Sequence, residues 1–162
     1  MLGSDYDIGL GISPVNLATG ANTGLRQFMG DLDYLLVVFI GAAGAAAEPP
    51  VLTLRQHTLS AAGVSSNLAA VTTYWKKTET TLDNDETWTK VTQAASQTVT
   101  GTAQVQQMIA FKVQPEDLSA GCSYVSVDIA SVGAGSQPGT LLYVLSGVSP
   151  RDTPENMPAP LR

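Results

Sequence analysis

A single cysteine and a single histidine stand in a chain of 162 residues, and their scarcity excludes much chemistry. With Cys122 alone no intramolecular disulfide can form, which fits synthesis in a reducing compartment. Cys122 precedes the apolar residues 124–129 and reads as a small buried hydrophobe. One His and one Cys cannot supply a structural zinc tetrad. Every histidine-dependent scheme must run through His57, and the nucleophile elbow G-x-S-x-G is missing. Its nearest approach, Gly133-Ala134-Gly135-Ser136-Gln137, lacks the pattern. His57 is instead expected as a polar residue on the outer face near a strand end. The glycines at Gly9, Gly11, Gly41 and Gly44 match neither a phosphate-binding loop nor a dinucleotide fingerprint. Asp83, Asp85 and Glu86 could offer oxygens to calcium, but the run lacks the spaced ligands and closing Glu of an EF-hand loop and reads as a solvated turn. No catalytic residue, metal or cofactor is assigned, and the chain is expected not to be an enzyme.

Charge is also sparse. Charged residues make up 14% of the chain, against the ~25% usual in globular domains, and eight basic residues face fourteen acidic ones for a net charge of −6. Nucleic-acid binders need clustered Lys and Arg to displace counterions from phosphates. Here only Lys76 and Lys77 are adjacent, so neither nucleic acid nor an anionic membrane is expected as a partner. The longest apolar stretch, residues 34–47, falls short of the ~20 residues that cross a bilayer and is interrupted by Gly41 and Gly44. The first residues show no basic region followed by an apolar core, the mark of a secretory leader. A surface poor in charge and rich in Ser, Thr, Gln and Gly suits a protein that meets other protein.

What is present is alternation. A short strand is expected within residues 25–29. Residues 34–40 form a continuous β-branched and aromatic run, expected as a strand buried on both faces. In residues 51–58, Leu52 and Leu54 point one way and Thr53 and Arg55 the other. Residues 60–67 read as a loop. Strands follow at 68–77 and 87–92, then a Thr- and Gln-rich tract at 93–104 that extends the strand or loops out. The clearest alternation is late: Ile109, Phe111 and Val113; Val125, Val127 and Ile129; Leu141, Tyr143 and Leu145. Asp128 shares the polar side of its strand with Ser126 and is expected exposed or paired. Among the aromatics, Tyr74 and Trp75 are expected on opposite faces, with core packing the role of at least one tryptophan. Pro115-Glu116-Asp117-Leu118 can cap a single helical turn. Seven or eight short strands separated by turn signals predict an all-β fold, an antiparallel β-sandwich or jelly roll with extended N- and C-terminal arms.

The expected organisation is an N-terminal arm at 1–24, a sandwich domain at 25–148 and a C-terminal arm at 149–162. In the front arm Tyr6, Ile8, Leu10 and Ile12 alternate with Asp5, Asp7, Gly9 and Gly11, a pattern able to add as a strand to another chain's sheet edge. The rear arm carries Pro150, Pro154, Pro158 and Pro160, which favour an extended chain, with Met157 and Leu161 as apolar anchors. These six apolar residues are the expected partner-binding set.

Several stretches resemble the head decoration, or cement, proteins of tailed bacteriophages. They are VLTLRQHT (51–58), YWKKTETTLDNDETWTKVTQ (74–93), YVSVDIASVG (124–133) ahead of LLYVLSGVSPR, and the tail PENMPAPLR. The resemblance covers most of the chain after about Asp31; the front arm departs from it. It implies a virion protein that sits on the outer capsid surface, after assembly in the host cytoplasm, and clamps neighbouring major capsid protein subunits. It also implies self-association as a homodimer or homotrimer. The alternatives are a tail-tube or head-tail joining component, and a secreted carbohydrate-binding β-sandwich.

Overall fold

The computed structural model describes residues 6–45, 47–83 and 85–147. Eleven strands follow in chain order: β1 (Tyr6–Asn16), β2 (Gln27–Phe28), β3 (Tyr34–Gly41), β4 (Val51–His57), β5 (Ser65–Asn67), β6 (Thr73–Glu79), β7 (Thr89–Thr92), β8 (Thr98–Thr100), β9 (Gln106–Val113), β10 (Tyr124–Ile129) and β11 (Pro138–Ser146). Single 3-10 turns occupy Leu17–Thr19 and Pro115–Asp117. In the second, proline takes the first helical position and Asp117 accepts the Gln114 N–H, so the expected turn forms.

Two antiparallel sheets face each other. One runs β1-β11-β3-β9-β6-β7, the other β2-β10-β4-β5, with β8 also against β4. With β6, β7 and β8 set aside as an excursion between β5 and β9, the remaining strands pair in nested order. The first joins the last (β1–β11), the second joins β10, the third joins β9, and β4 joins β5. Alternate pairs fall in alternate sheets, which is the jelly-roll arrangement of the β-sandwich. The excursion returns β8 to the edge of β4 beside β5: β5 takes Arg55 to His57 and β8 takes Val51 to Thr53.

The inward side chains alternate as the period-2 rule demands. Leu35, Val37 and Phe39 of β3, Ile109, Phe111 and Val113 of β9, and Leu141 and Tyr143 of β11 are fully buried; across the core lie Leu52 and Leu54 of β4 and Val125, Val127 and Ile129 of β10. β3 differs from its expected burial on both faces: its inward residues are sealed, while Tyr34, Leu36, Val38 and Ile40 on the other side are only half-buried. The short β5 lies where a loop was expected.

The front segment departs most from expectation. From Tyr6 onward it is a strand of the sandwich, paired with β11 from Tyr6 opposite Ser146 to Asn16 opposite Pro138. Its alternation finds a partner edge within its own chain, where pairing carries no cost of association. The following residues are tied down as well. Leu17 is fully buried and donates to the Gln137 carbonyl, and Asn22 exchanges backbone bonds with Ile129. The rear arm lies outside the described residues, as do its anchors Met157 and Leu161.

Tyr143 ties the two sheets together. It is rooted in β11, and its hydroxyl accepts from the Val127 N–H of β10 (3.1 Å) and donates to the Leu25 carbonyl (3.2 Å). Leu25 in turn donates to the Gly11 carbonyl of β1 (2.8 Å). A Cβ at Gly11 would lie 2.8 Å from Tyr143 Cζ and 2.7 Å from Leu141 Cδ2, so the ring occupies the space a side chain there would need. Burial first, and the nearby Asp128 charge, push the Tyr143 phenol well above its usual range, so it stays protonated and can keep donating. Tyr143→Phe is expected to lower stability by about 1–3 kcal/mol, because the Val127 N–H and Leu25 carbonyl lose their partner. Gly11→Ala should cost a similar amount, about 1–3 kcal/mol, through overpacking. Urea denaturation of the two variants against the parent checks both.

Candidate interaction surfaces

Over β1, β11 and β3 the outward side of the six-stranded sheet is largely aliphatic, where a solvent face is normally polar. On β1, Tyr6, Ile8 and Leu10 are exposed at 43–53%. Ile8 lies opposite Val144, which lies opposite Leu36. One row along, Leu10 faces Leu142, Leu142 faces Val38, Val38 faces Ala110, and Ala110 faces Trp75. Three of the expected front anchors therefore lie on one continuous surface. Ile12 does not: the register shifts between Leu10 and Ile12, the alternation slips, and Ile12 joins the core at 7% exposure.

A second apolar surface caps the other sheet. The loop from β4 to β5 exposes Leu59, Ala61, Ala62 and Val64, the last at 68%. Its conformation is closed by the Thr58 N–H on the Val64 carbonyl (3.1 Å) and the Val64 N–H on Thr58 Oγ1 (3.1 Å). It turns through left-handed Ala62 (φ 57°) and Gly63 (φ 68°). Arg26 Nη1 donates to the carbonyls of Leu59 (2.9 Å) and Ala62 (2.6 Å), holding both ends of the bend. Such a loop presents apolar side chains with little conformational freedom left to lose on binding.

Under this loop runs a row of hydrogen bonds across three strands. Arg26 Nη2 lies 3.4 Å from Ser65 Oγ, Ser65 Oγ lies 2.7 Å from His57 Nδ1, and His57 Nε2 lies 2.9 Å from Ser126 Oγ. Arginine can only donate, so the Ser65 hydroxyl accepts from it and keeps its own proton for His57 Nδ1. His57 Nε2 then carries the hydrogen and donates to Ser126, an assignment made from the network. His57 is on the outer face as expected, but it is bonded between Ser65 and Ser126 and is only 4% exposed. Burial first, then the charges of Arg26 and Arg55, lower its pKa from 6.5 to about 4. That makes it a weak base at neutral pH, and both ring nitrogens already have hydroxyl partners, an arrangement suited to fastening strands.

The other residues marked in the sequence scatter. Asp128 is half-buried; one oxygen accepts the Gly24 N–H (3.1 Å) and the other lies 3.7 Å from Arg55 Nε. Such a partly exposed pair contributes little stability, and its effect is to seat the chain before β2. Asp83, Asp85 and Glu86 bring ligand oxygens within 4.8 Å of one another, and Glu86 Oε1 caps the Asp83 N–H (2.8 Å), so the turn itself accounts for their proximity. Tyr74 is in the core, but neither tryptophan is: Trp75 is 38% and Trp88 43% exposed, with Lys77 Nζ 5.2 Å from the Trp88 ring centre. The expectation of a core tryptophan fails because Tyr74 takes the inward position of β6. Cys122 is half-buried in the turn before β10. Among the described residues no helix is long and apolar enough to cross a membrane. Sequence alternation could locate the strands but gave no sign of the Arg26 clamp, whose partners lie 33 and 36 residues away.

No protein family, curated protein or solved structure matches the chain.

The depressed His57 pKa has a signed consequence. Above pH 6.5 the ring is neutral folded and unfolded alike; between 6.5 and about 4 only the unfolded chain takes up the proton. Stability is therefore expected to fall across that window, by up to about 3 kcal/mol, and to lose nothing further from this residue below it. His57→Gln should remove most of the slope between pH 6.5 and 4.5 in denaturation midpoints, even though its stability at pH 8 is lower.

Proposed function

We propose that the chain is a structural virion protein that binds the outside of a phage capsid lattice and clamps neighbouring major capsid protein subunits. The observation that carries a binding role is the apolar loop of Leu59 and Val64, exposed yet pinned at both ends by Arg26. Exposed aliphatic groups on a fixed frame are the equipment of a protein-binding surface. The capsid as partner rests on the resemblance of residues 51–58, 74–93 and 124–133 to cement proteins. A clip that binds only assembled subunits stabilises the shell by mass action, and repetition over the lattice adds avidity to modest single contacts. The rear arm, with Met157 and Leu161, is the second proposed grip.

A glycan-binding sandwich is the second reading, favoured by the exposure of Trp75 and Trp88, since exposed aromatic rings can stack on sugars. A glycan array addresses it directly.

The decisive experiment mixes purified protein with phage heads lacking it, then measures co-sedimentation and the temperature at which the heads burst. Saturable binding with a higher bursting temperature is expected. Leu59→Ser with Val64→Ser should weaken binding at least tenfold, given about 1.5–3 kcal/mol for each buried aliphatic side chain. Deleting residues 149–162 should weaken it further. Heads that neither bind the protein nor gain resistance rule the capsid reading out, and rings or tubes formed by the protein alone would point to a tail component.

A further inference from the structure

The aliphatic face of the six-stranded sheet is a second surface, on the opposite sheet from the clamped loop. We propose that it is covered by a second copy of the same chain, so that the protein is a homo-oligomer whose protomers meet sheet to sheet. The first argument is chemical. β3 is apolar on both sides, and the second sheet covers only one of them. Across the hydrogen-bonded strands the uncovered rows run Ile8–Val144–Leu36 and Leu10–Leu142–Val38–Ala110, and the first ends on Lys112, opposite Leu36.

The second argument is electrostatic. The chain carries fourteen acidic residues and a net charge of −6, so two copies repel over most of their surface. The outward positions of β1, β3, β9 and β11 contain no Asp or Glu. Their one cation, Lys112, stands opposite Leu36 with Nζ 4.8 Å from the Tyr34 ring centre, and the next strand, β6, adds Lys77 on the same side. Without carboxylates, this side of the sandwich is where two acidic copies meet with the least charge repulsion.

The third argument is size and shape. The four strands β1, β11, β3 and β9 at ~4.8 Å spacing and six residue steps at ~3.4 Å give a footprint about 14 Å by about 20 Å. Two copies bring together roughly 600 Å² of flat area, to which the relief of interdigitating side chains adds toward the ~1,000 Å² that a biological interface needs. Sheets pack face to face through just such rows, and identical faces generate the closed, two-sided contacts of symmetric oligomers.

The mass of the 162-residue chain in solution tests this without any capsid, so it can fail or succeed independently of the reading above. Light scattering after size exclusion, from about 1 to about 100 µM, is expected to give a multiple of 16.9 kDa. Leu142→Glu with Val38→Glu should run at the single-chain mass with its β circular dichroism retained. Ile8→Glu alters an already exposed side chain, and is expected to raise the dissociation constant at least tenfold even where the double variant folds poorly. Leu59→Ser with Val64→Ser should leave the mass unchanged. A single-chain mass for the parent across the range overturns the proposal, including the case where that monomer binds vesicles or heads through this face. Oligomers that persist undiminished in both sheet-face variants overturn it too.

Discussion

The Tyr143 hydroxyl lies where three parts of the chain have to agree. It fills the gap between the Val127 N–H and the Leu25 carbonyl, in a stretch of β10 that β2 is too short to cover. Without it, a buried donor in a central strand would lack a partner, a loss worth about 1–3 kcal/mol. The ring reaches that position only because β1 has Gly11 alongside it. Leu25 closes the circuit by donating to the Gly11 carbonyl. One side chain thus fixes the sheet separation, the path of the chain into β2 and the seat of the first strand.

The nested strand order follows from this closure. Once β1 lies on β11, the chain wraps inward pair by pair until β4 meets β5, and the β6–β8 excursion is accommodated at the edges of both sheets. The same order produces two unlike outer faces. One sheet has its outer side fastened by Arg26, Ser65, His57 and Ser126 and ends in a pinned apolar loop. The other has aliphatic rows and no acidic residue at the outward positions of β1, β11, β3 and β9. A fold with an apolar core and a further apolar face is asymmetric by construction.

Much of the fold was legible because alternation survives wherever one side of a strand is buried. Ile109, Phe111 and Val113, or Val125, Val127 and Ile129, announce their face without any knowledge of what lies opposite. The same logic misled at β1. The pattern of Tyr6, Ile8, Leu10 and Ile12 is a correct strand signal, but period alone does not say whose edge the strand will join, nor that a bulge will turn Ile12 inward. Trp75 was placed rightly opposite Tyr74; Trp88, expected inside a strand at 87–92, lies just before β7 and is exposed. His57 was given the right face and the wrong exposure, because its partners Ser65 and Ser126 stand on other strands, and the local pattern is silent about both.

By itself the sequence determined the all-β class, most strand positions, the inward faces of β4, β9, β10 and β11 and the shortage of charge, since these depend on side chains two residues apart. Tertiary structure alone decided the nesting of the strands, the capture of residues 6–16 by β11, the neutral buried histidine and the gathering of aliphatic groups from β1, β3 and β11 into one face. Each of these needs contacts between residues far apart in the chain, where hydrogen-bond partners and excluded volume, and not local periodicity, select the outcome.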